Sequence, residues 1–234
     1  LDWWIKCLQD EGIYIWLDLH IGRQFRRADQ ITGFDEIAND AGKADLRGYN
    51  YVNPDIQQAM MAFNTLLLTH ENQFTGKRYV DDASIAAVMI TNENDITHHY
   101  GNSLLKDKNV PIHHHWFTEE ARIYSKKHHI PQRKLMQAWK PGPANYFLND
   151  LEYRFNQKMI SHLRAIGLKV PIVTTSTWGG NSINALPALT AGDMIDVHAY
   201  QSGELLSSNP LHTDHFIHWI AAAQIVNTPI TVSE

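Results

Sequence analysis

The strongest constraint on the fold is a regular alternation between apolar, strand-like segments and amphipathic helical segments. Five short runs, rich in strand-forming residues, read GIYIWLDLH, IAAVMIT, VPIVTTS, DMIDVHAY and PITVSE. The segments between them carry apolar residues every three or four positions, which predicts helices. Strands that alternate with helices favour a parallel sheet covered by helices, because each helix returns the chain to the same end of the sheet.

Start and stop signals place the predicted helices more closely. Asn53 followed by Pro54 is a typical helix start, and Gly12 and Gly167 are placed as helix ends. The predicted helices cover residues 1–11, 53–69, 118–129, 148–167, 183–189 and 214–226.

Two α/β architectures fit this order: an open doubly wound sheet and a (β/α)8 TIM barrel. No glycine-rich phosphate-binding fingerprint follows any strand, which weakens the dinucleotide-binding version of the first. Polar residues instead collect where each strand ends, and in a barrel these ends meet at one mouth, where active sites lie. The barrel is therefore favoured. Five strands are too few for a closed barrel, so we expect residues 1–234 to be an incomplete barrel domain holding about strands three to seven.

One long segment interrupts the alternation. Residues 96–147 separate the strand IAAVMIT from its helix, far more than a usual βα loop, and are expected to shape a cleft. Among the histidines of this segment are His113, His114, His115, His128 and His129. Adjacent histidines rarely form a closed metal site without cysteine or HExxH partners. These histidines are therefore predicted to lie on the surface or line the cleft, and no metal ligand is assigned.

Composition excludes several classes of partner. The net charge is −5 and the charged residues of both signs are interspersed, unlike a nucleic-acid-binding surface. No apolar run approaches the roughly 20 residues that span a bilayer. Neither a nucleic-acid partner, a membrane partner nor an obligatory protein partner is predicted. Cys7 is the single cysteine, so no internal disulfide can form.

Two glutamates stand at strand ends. Glu93 follows IAAVMIT, and Glu234 ends PITVSE, three strands later in the chain. On a barrel these two carboxylates would face each other across the mouth. A carboxylate pair that flanks a glycosidic bond can supply its general acid and its nucleophile or base. Strand-end glutamates also serve as metal ligands and structural anchors, so the pair suggests glycoside hydrolysis without establishing it.

Several motifs resemble the glycoside hydrolases of clan A, especially the cellulases and mannanases of family 5. The stretch TNEN after an apolar strand is similar to their Asn-Glu-Pro signature. IWLDLH, DVHAY and PITVSE resemble their third, sixth and seventh strands, and TGKRYVDDASIAAVMITNEN resembles the run before their acid/base glutamate. These motifs occur in the expected order along all 234 residues.

The resemblance implies a retaining glycoside hydrolase that cleaves β-glycosidic bonds of a polysaccharide or oligosaccharide by double displacement. Glu93 would be the general acid/base and Glu234 the nucleophile. No cofactor is implied, and the carbohydrate substrate is the expected partner. Such a substrate places the enzyme outside the cell or in a periplasm rather than in the cytoplasm.

The resemblance also implies roles for six further residues. Asn92 would hydrogen-bond the sugar 2-hydroxyl, and His20, oriented by Asp18, would contact the same sugar. The other three are His198 lining the subsite, Tyr200 holding Glu234, and Trp178 stacking on a pyranose ring.

One position departs from the family pattern: Asn94 stands where the family has proline, followed by Asp95. Two alternatives to a hydrolase of this kind remain. A non-catalytic carbohydrate-binding barrel would keep sugar affinity without turnover, and a metal-dependent hydrolase would use the histidines.

Overall fold

The computed structural model describes residues 1–178, 182–198 and 217–234. Numbered along the chain, its strands are β1 (Ile15–His20), β2 (Gln24–Arg26), β3 (Lys43–Asp45), β4 (Glu71–Asn72), β5 (Lys77–Arg78), β6 (Ile85–Thr91), β7 (Ile172–Trp178), β8 (Met194–His198) and β9 (Ile230–Val232). Five of these strands form one parallel sheet, and the short strands pair as the antiparallel ribbons β2-β3 and β4-β5. The five predicted strands and their parallel pairing are confirmed.

The strands of the main sheet lie in chain order, β1-β6-β7-β8-β9. A doubly wound sheet reverses its strand order at a switch point, and the described part of this sheet has no reversal. The register keeps the carboxyl ends of the strands level. His20 pairs with Thr91, Thr91 pairs with Thr175, and Ser176 pairs with Asp196. Polar residues that follow these positions therefore share one edge of the sheet.

The described helices are α1 (Asp2–Asp10), α2 (Phe34–Ile37), α3 (Pro54–Leu68), α4 (Pro111–His128), α5 (Pro143–Ala165), α6 (Ser182–Leu189) and α7 (Ile217–Ala222). The starts of α4 and α5 were predicted too late, at residues 118 and 148. Both helices begin at a proline, which is favoured in the first turn because its missing N–H needs no partner there. The predicted 214–226 helix ends earlier, at Ala222, and residues 214–216 lie outside the described part. None of the helices in the described ranges has the length and apolarity to cross a bilayer.

The 96–147 segment contains α4, a helix of five turns that begins earlier than the predicted 118–129 helix. Helix α4 packs its Phe117 and Tyr124 against Phe147 of α5, with ring centroids 5.3 and 5.4 Å apart. The main apolar core continues through α3 and α5 to the strands β1, β6 and β7. A smaller apolar cluster joins α6 to β8 and includes Leu189 and Val197.

His113 is a structural residue of the core rather than a surface histidine. Its ring is completely buried, with Nδ1 2.5 Å from Glu36 Oε1 and Nε2 2.9 Å from Asn53 Nδ2. Because the Asn53 amide donates to Nε2, the neutral ring donates from Nδ1 to the carboxylate. Burial lowers the pKa of His113, although the hydrogen bond to Glu36 opposes the shift. The prediction that this histidine is surface-exposed or lines the cleft is therefore wrong.

Asn53 joins this histidine to the start of α3. Its Oδ1 accepts the N–H groups of Asp55 and Ile56, and its Nδ2 also donates to Thr32 O. We expect Asn53→Ala to lower the free energy of unfolding by about 2 kcal/mol or more, since both the helix cap and a buried partner are lost. Asn53→Asp keeps the oxygen that caps α3 but loses the amide donor, so its free energy of unfolding should lie between those of wild type and Asn53→Ala. Urea unfolding measures both, and an alanine variant as stable as wild type would contradict this role.

Candidate active site

Glu93 emerges two residues beyond the end of β6 in an unusual backbone conformation. Its φ of 43° lies in the left-handed region, which is uncommon for residues other than glycine and frequent at functional sites. The backbone is held by β7, because Glu93 N–H donates to Ser176 Oγ at 3.0 Å. The same hydroxyl donates to Asn92 Oδ1 at 3.1 Å. Ser176 therefore fixes both Asn92 and the backbone of Glu93.

His198, at the end of β8, lies between the two predicted catalytic glutamates. Its Nδ1 is 2.7 Å from Glu93 Oε1 and 3.8 Å from Glu234 Oε2. The two oxygens are therefore closer together than the sum of these distances. The His198 ring is fully buried, whereas both carboxylates are partly exposed. The structure thus brings Glu93, Glu234 and His198 together.

Further polar residues lie at the Nε2 side of the His198 ring. Ser233 Oγ lies 3.2 Å from His198 Nε2 and donates to Asp196 Oδ2 at 2.7 Å. Thr231 donates to the other Asp196 oxygen at 2.7 Å, and Asp196 itself is buried. Burial raises the pKa of Asp196, although these two hydroxyl groups oppose the shift. Both β8 and β9 therefore hold the imidazole in place.

Asp18 and His20 have different hydrogen-bond partners, contrary to the prediction that Asp18 orients His20. The buried His20 has its Nε2 2.8 Å from Asn64 Oδ1 on α3, while Asp18 Oδ1 accepts the Trp16 indole N–H at 2.8 Å. The prediction that Asp18 orients His20 is wrong, because α3 supplies a buried amide that faces the imidazole. Burial lowers the pKa of His20 to about 3, helped by the charge of Arg23, so the ring is neutral at neutral pH.

Asp18 belongs instead with the carboxylates of the site. Burial raises its pKa against the hydrogen bond from Trp16, and the charges of Asp196 and Glu234 raise it further. This coupling places Asp18 within electrostatic reach of the predicted nucleophile.

Asn94, which stands where the resembled motif has proline, makes hydrogen bonds that proline could not make. Its backbone N–H, which proline lacks, donates to Thr175 Oγ1 at 3.2 Å. Its buried side chain donates to Asn50 Oδ1 at 2.8 Å and accepts the Gly48 N–H at 3.2 Å. Asn94 thus connects the end of β6 to β7 and to the segment before α3. These hydrogen bonds hold the backbone that directly follows Glu93.

A chain of ionisable groups lies behind Glu93. The completely buried Asp95 bonds Nδ1 of His99, whose Nε2 is 4.0 Å from Glu93 Oε2. Burial raises the pKa of Asp95, but the bond and charge of His99 outweigh this effect and lower it overall. Burial likewise opposes the charge on His99, yet its bond to Asp95 and the nearby carboxylates raise its pKa overall. The raised pKa favours the charged form of His99, whose Nε2 is 4.0 Å from Glu93 Oε2.

Asp95, His98 and His99 also offer metal-ligand atoms within 4.8 Å of one another. Ligands of one ion direct their donor atoms at that ion. Here His99 Nδ1 and the Asp95 carboxylate bond each other instead, which matches an imidazole oriented by a carboxylate rather than two ligands of one ion.

Glu152 on α5 completes this chain. It is fully buried, and one oxygen accepts the Ile96 N–H at 3.0 Å. Burial raises the pKa of Glu152 well above its usual value, and the charge of Asp95 raises it further. A carboxyl with a raised folded-state pKa stabilises the protein at low pH, and this contribution is lost as pH rises through that pKa.

Replacing Glu152 with glutamine should therefore change the pH dependence of stability. We expect the stability advantage of Glu152→Gln over wild type to grow by up to about 1.4 kcal/mol per pH unit between the unfolded-state pKa of glutamate, about 4.3, and the raised folded-state pKa of Glu152, and to stay constant above that pKa. Urea unfolding between pH 5 and 9 measures this, with Glu71→Gln on the exposed strand β4 as control. Identical pH profiles for wild type and Glu152→Gln would contradict the buried, protonated carboxyl.

Beside these groups lies a polar cleft of about 270 Å³. Its lining residues are His20, Gly22, Arg23, Asp45, Leu46, Arg47, Asn92, Asn94 and Tyr100. Asn92 and Asn94 flank Glu93 in sequence, so the cleft adjoins the predicted acid/base. It is large enough for one sugar ring, and its amides and charges suit hydroxyl-rich ligands.

Two predicted site residues are placed only in part or not at all. Trp178 ends β7, with its backbone paired to His198, and Tyr200 lies outside the described residues. Sequence reasoning missed the roles of Asn64, Ser176 and Asp196. Ser176 and Asp196 each lie two residues before a predicted site residue of the same strand, and this position could have identified them. Asn64 lies inside α3, where no sequence pattern marks it.

Comparison with known proteins adds no family: no protein-family model and no curated protein sequence matches the chain.

Proposed function

We propose that the protein is a retaining glycoside hydrolase of the family 5 type that cleaves β-glycosidic bonds by double displacement. The observation that carries the proposal is the shared contact of His198 with Glu93 and Glu234. Carboxyl groups lie roughly 5–5.5 Å apart in retaining enzymes and about 6.5–9.5 Å apart in inverting ones. Since both oxygens lie close to His198 Nδ1, Glu93 Oε1 and Glu234 Oε2 can be separated by no more than the two contact distances taken together. That largest separation covers the retaining range and reaches only the lower end of the inverting range.

In this mechanism Glu234 attacks the anomeric carbon while protonated Glu93 donates to the leaving oxygen. The sugar is then held as an ester of Glu234. Glu93, now ionised, removes a proton from water as that water attacks the ester-bound sugar, which regenerates both groups. His198 contacts both carboxylates and keeps them oriented, and Asn92, held by Ser176, is available to the sugar 2-hydroxyl. At the end of the cycle Glu93 has regained a proton from water, and Glu234 is again a free carboxylate.

We propose a (β/α)8 barrel as the architecture. Parallel strands in unbroken chain order and a site at their carboxyl ends both support this proposal.

Mechanism-based labelling tests the function. Dinitrophenyl 2-deoxy-2-fluoro-β-glycosides of glucose, mannose, xylose and galactose should inactivate the protein. The fluorine slows both formation and hydrolysis of the glycosyl ester, whereas the activated leaving group speeds only its formation, so the ester accumulates. We expect peptide mapping to place the label on Glu234, and the matching unmodified glycosides to be hydrolysed. Sugar binding without labelling or turnover would indicate a non-catalytic barrel, and activity that disappears on chelation would indicate a metal-dependent hydrolase.

A further inference from the structure

Arg23 lies three residues beyond the end of β1 and lines the polar cleft beside His20 and Asn92. Its guanidinium carbon is 4.3 Å from the ring centroid of Phe63 and 5.2 Å from that of Phe25. Arginine stacks well on aromatic rings, and such stacking holds the planar group while leaving its N–H donors available. The two phenylalanines therefore fix a cation in the wall of the cleft.

Among the described residues, no ion pair and no hydrogen bond joins the Arg23 guanidinium to a carboxylate. Other partly exposed arginines of the chain are paired. Arg154 contacts Glu120 at 2.7 Å and Asp150 at 2.9 Å, and Arg164 contacts Asp193 at 2.6 Å. Burial lowers the pKa of Arg23, which reflects the cost of withdrawing its charge from water, although the charge of Asp29 opposes the shift. An incoming anion would remove that cost.

The other charges of the cleft do not neutralise Arg23. Asp45, the one carboxylate in the lining, lies 3.3 Å from Arg47 and accepts a hydrogen bond from Gln24 at 2.9 Å. His20 is neutral at neutral pH. The cleft wall therefore presents a guanidinium that no carboxylate contacts, among the described residues, next to the predicted acid/base.

We infer that this cleft binds an anionic sugar, with Arg23 pairing to a carboxylate or sulfate group on it. Guanidinium and either anion match as bidentate hydrogen-bonding partners. The inference rests on the proposed function, which it deepens by naming the substrate class: glycans that carry uronic acids or sulfate esters. Arg23 is the residue that determines this specificity, while Glu93 and Glu234 perform the chemistry.

Binding to a variant without turnover tests the inference. In the Glu234→Gln protein, calorimetry would compare a glucuronate-containing disaccharide with the same disaccharide reduced to glucose, and with a sulfated glucose disaccharide. We expect at least one anionic ligand to bind about tenfold or more tighter than the neutral one, as for a charge-assisted hydrogen bond. The tighter of the two anionic ligands identifies the anion.

Arg23→Gln added to this protein should abolish the preference, and Arg23→Lys should retain part of it. Arg26→Gln is the matched control, because Arg26 lies three residues away on an exposed strand position. Equal binding of charged and neutral ligands, no binding of any ligand, or a preference that survives Arg23→Gln in folded protein would overturn the inference.

Failure of this inference is distinguishable from failure of the proposed function. Labelling of Glu234 by neutral fluoroglycosides, with no effect of Arg23→Gln on binding, would leave the hydrolase and remove only the substrate class. Anion binding that depends on Arg23, without any turnover by wild type, would keep the anionic ligand and remove the hydrolase activity.

Discussion

Replacing Glu234 with alanine is expected to lower kcat on the order of 10⁴-fold or more, because no ester intermediate can form without the nucleophile. The loss should not depend on the leaving group, since every substrate needs the same attack. Added azide can occupy the space left by the carboxylate and attack the substrate directly. The product is then a glycosyl azide with inverted configuration, which NMR identifies.

Replacing Glu93 with alanine should give a different pattern. General acid–base catalysis contributes about 10²–10⁴-fold, and activated aryl leaving groups need little protonation. We therefore expect a large loss with natural glycosides, a smaller loss with dinitrophenyl glycosides, and slow hydrolysis of the accumulated ester. Azide should attack that ester and yield a product of retained configuration. The opposite configurations assign the two roles independently of the size of either rate loss.

The exposed Glu71→Ala variant serves as the control for both, because Glu71 lies in the short ribbon β4-β5. Circular dichroism would confirm that all variants fold alike. Wild-type hydrolysis by both Glu93→Ala and Glu234→Ala, on every substrate cleaved, would contradict the proposed mechanism.

Much of the framework follows from local sequence patterns. The strand runs are apolar and short, and each ends in a polar residue, so their positions and shared edge could be predicted. Glu93, His198 and Glu234 were identified together for the same reason: strand ends in a parallel sheet converge whatever the loops do. Long-range partners could not be predicted in this way. Asn64 reaches His20 from 44 residues away, and a mid-helix asparagine carries no pattern that marks it.

The same limit explains the errors in the 96–147 segment. His113 resembled one member of a polar cluster, because adjacent residues in a helix point in different directions and only packing decides which one is buried. Its burial depends on Asn53 and Glu36, from two separate segments. The role of Asn94 likewise depends on its backbone N–H and on Asn50. A comparison of short motifs takes neither of these contacts into account.

Changing His198 should also lower activity strongly, because it contacts both predicted catalytic carboxylates. We expect His198→Ala to lower kcat on the order of 10²-fold or more, the range in which misplaced catalytic groups act, with a smaller change in KM. Asparagine and glutamine at this position separate the two sides of the ring. The asparagine amide can occupy the place of Nδ1, beside Glu93, whereas the glutamine amide can occupy that of Nε2, beside Ser233.

If His198 orients the carboxylates, His198→Asn should retain more of kcat than His198→Gln, even where their thermal unfolding temperatures agree. A purely structural histidine would instead make kcat follow stability, with Gln favoured for keeping the contact to Ser233 and thus to Asp196. Equal kcat values for the two variants would therefore count against orientation through Nδ1. The comparison decides between the roles because each amide restores one contact of the ring, and only one of those contacts reaches Glu93.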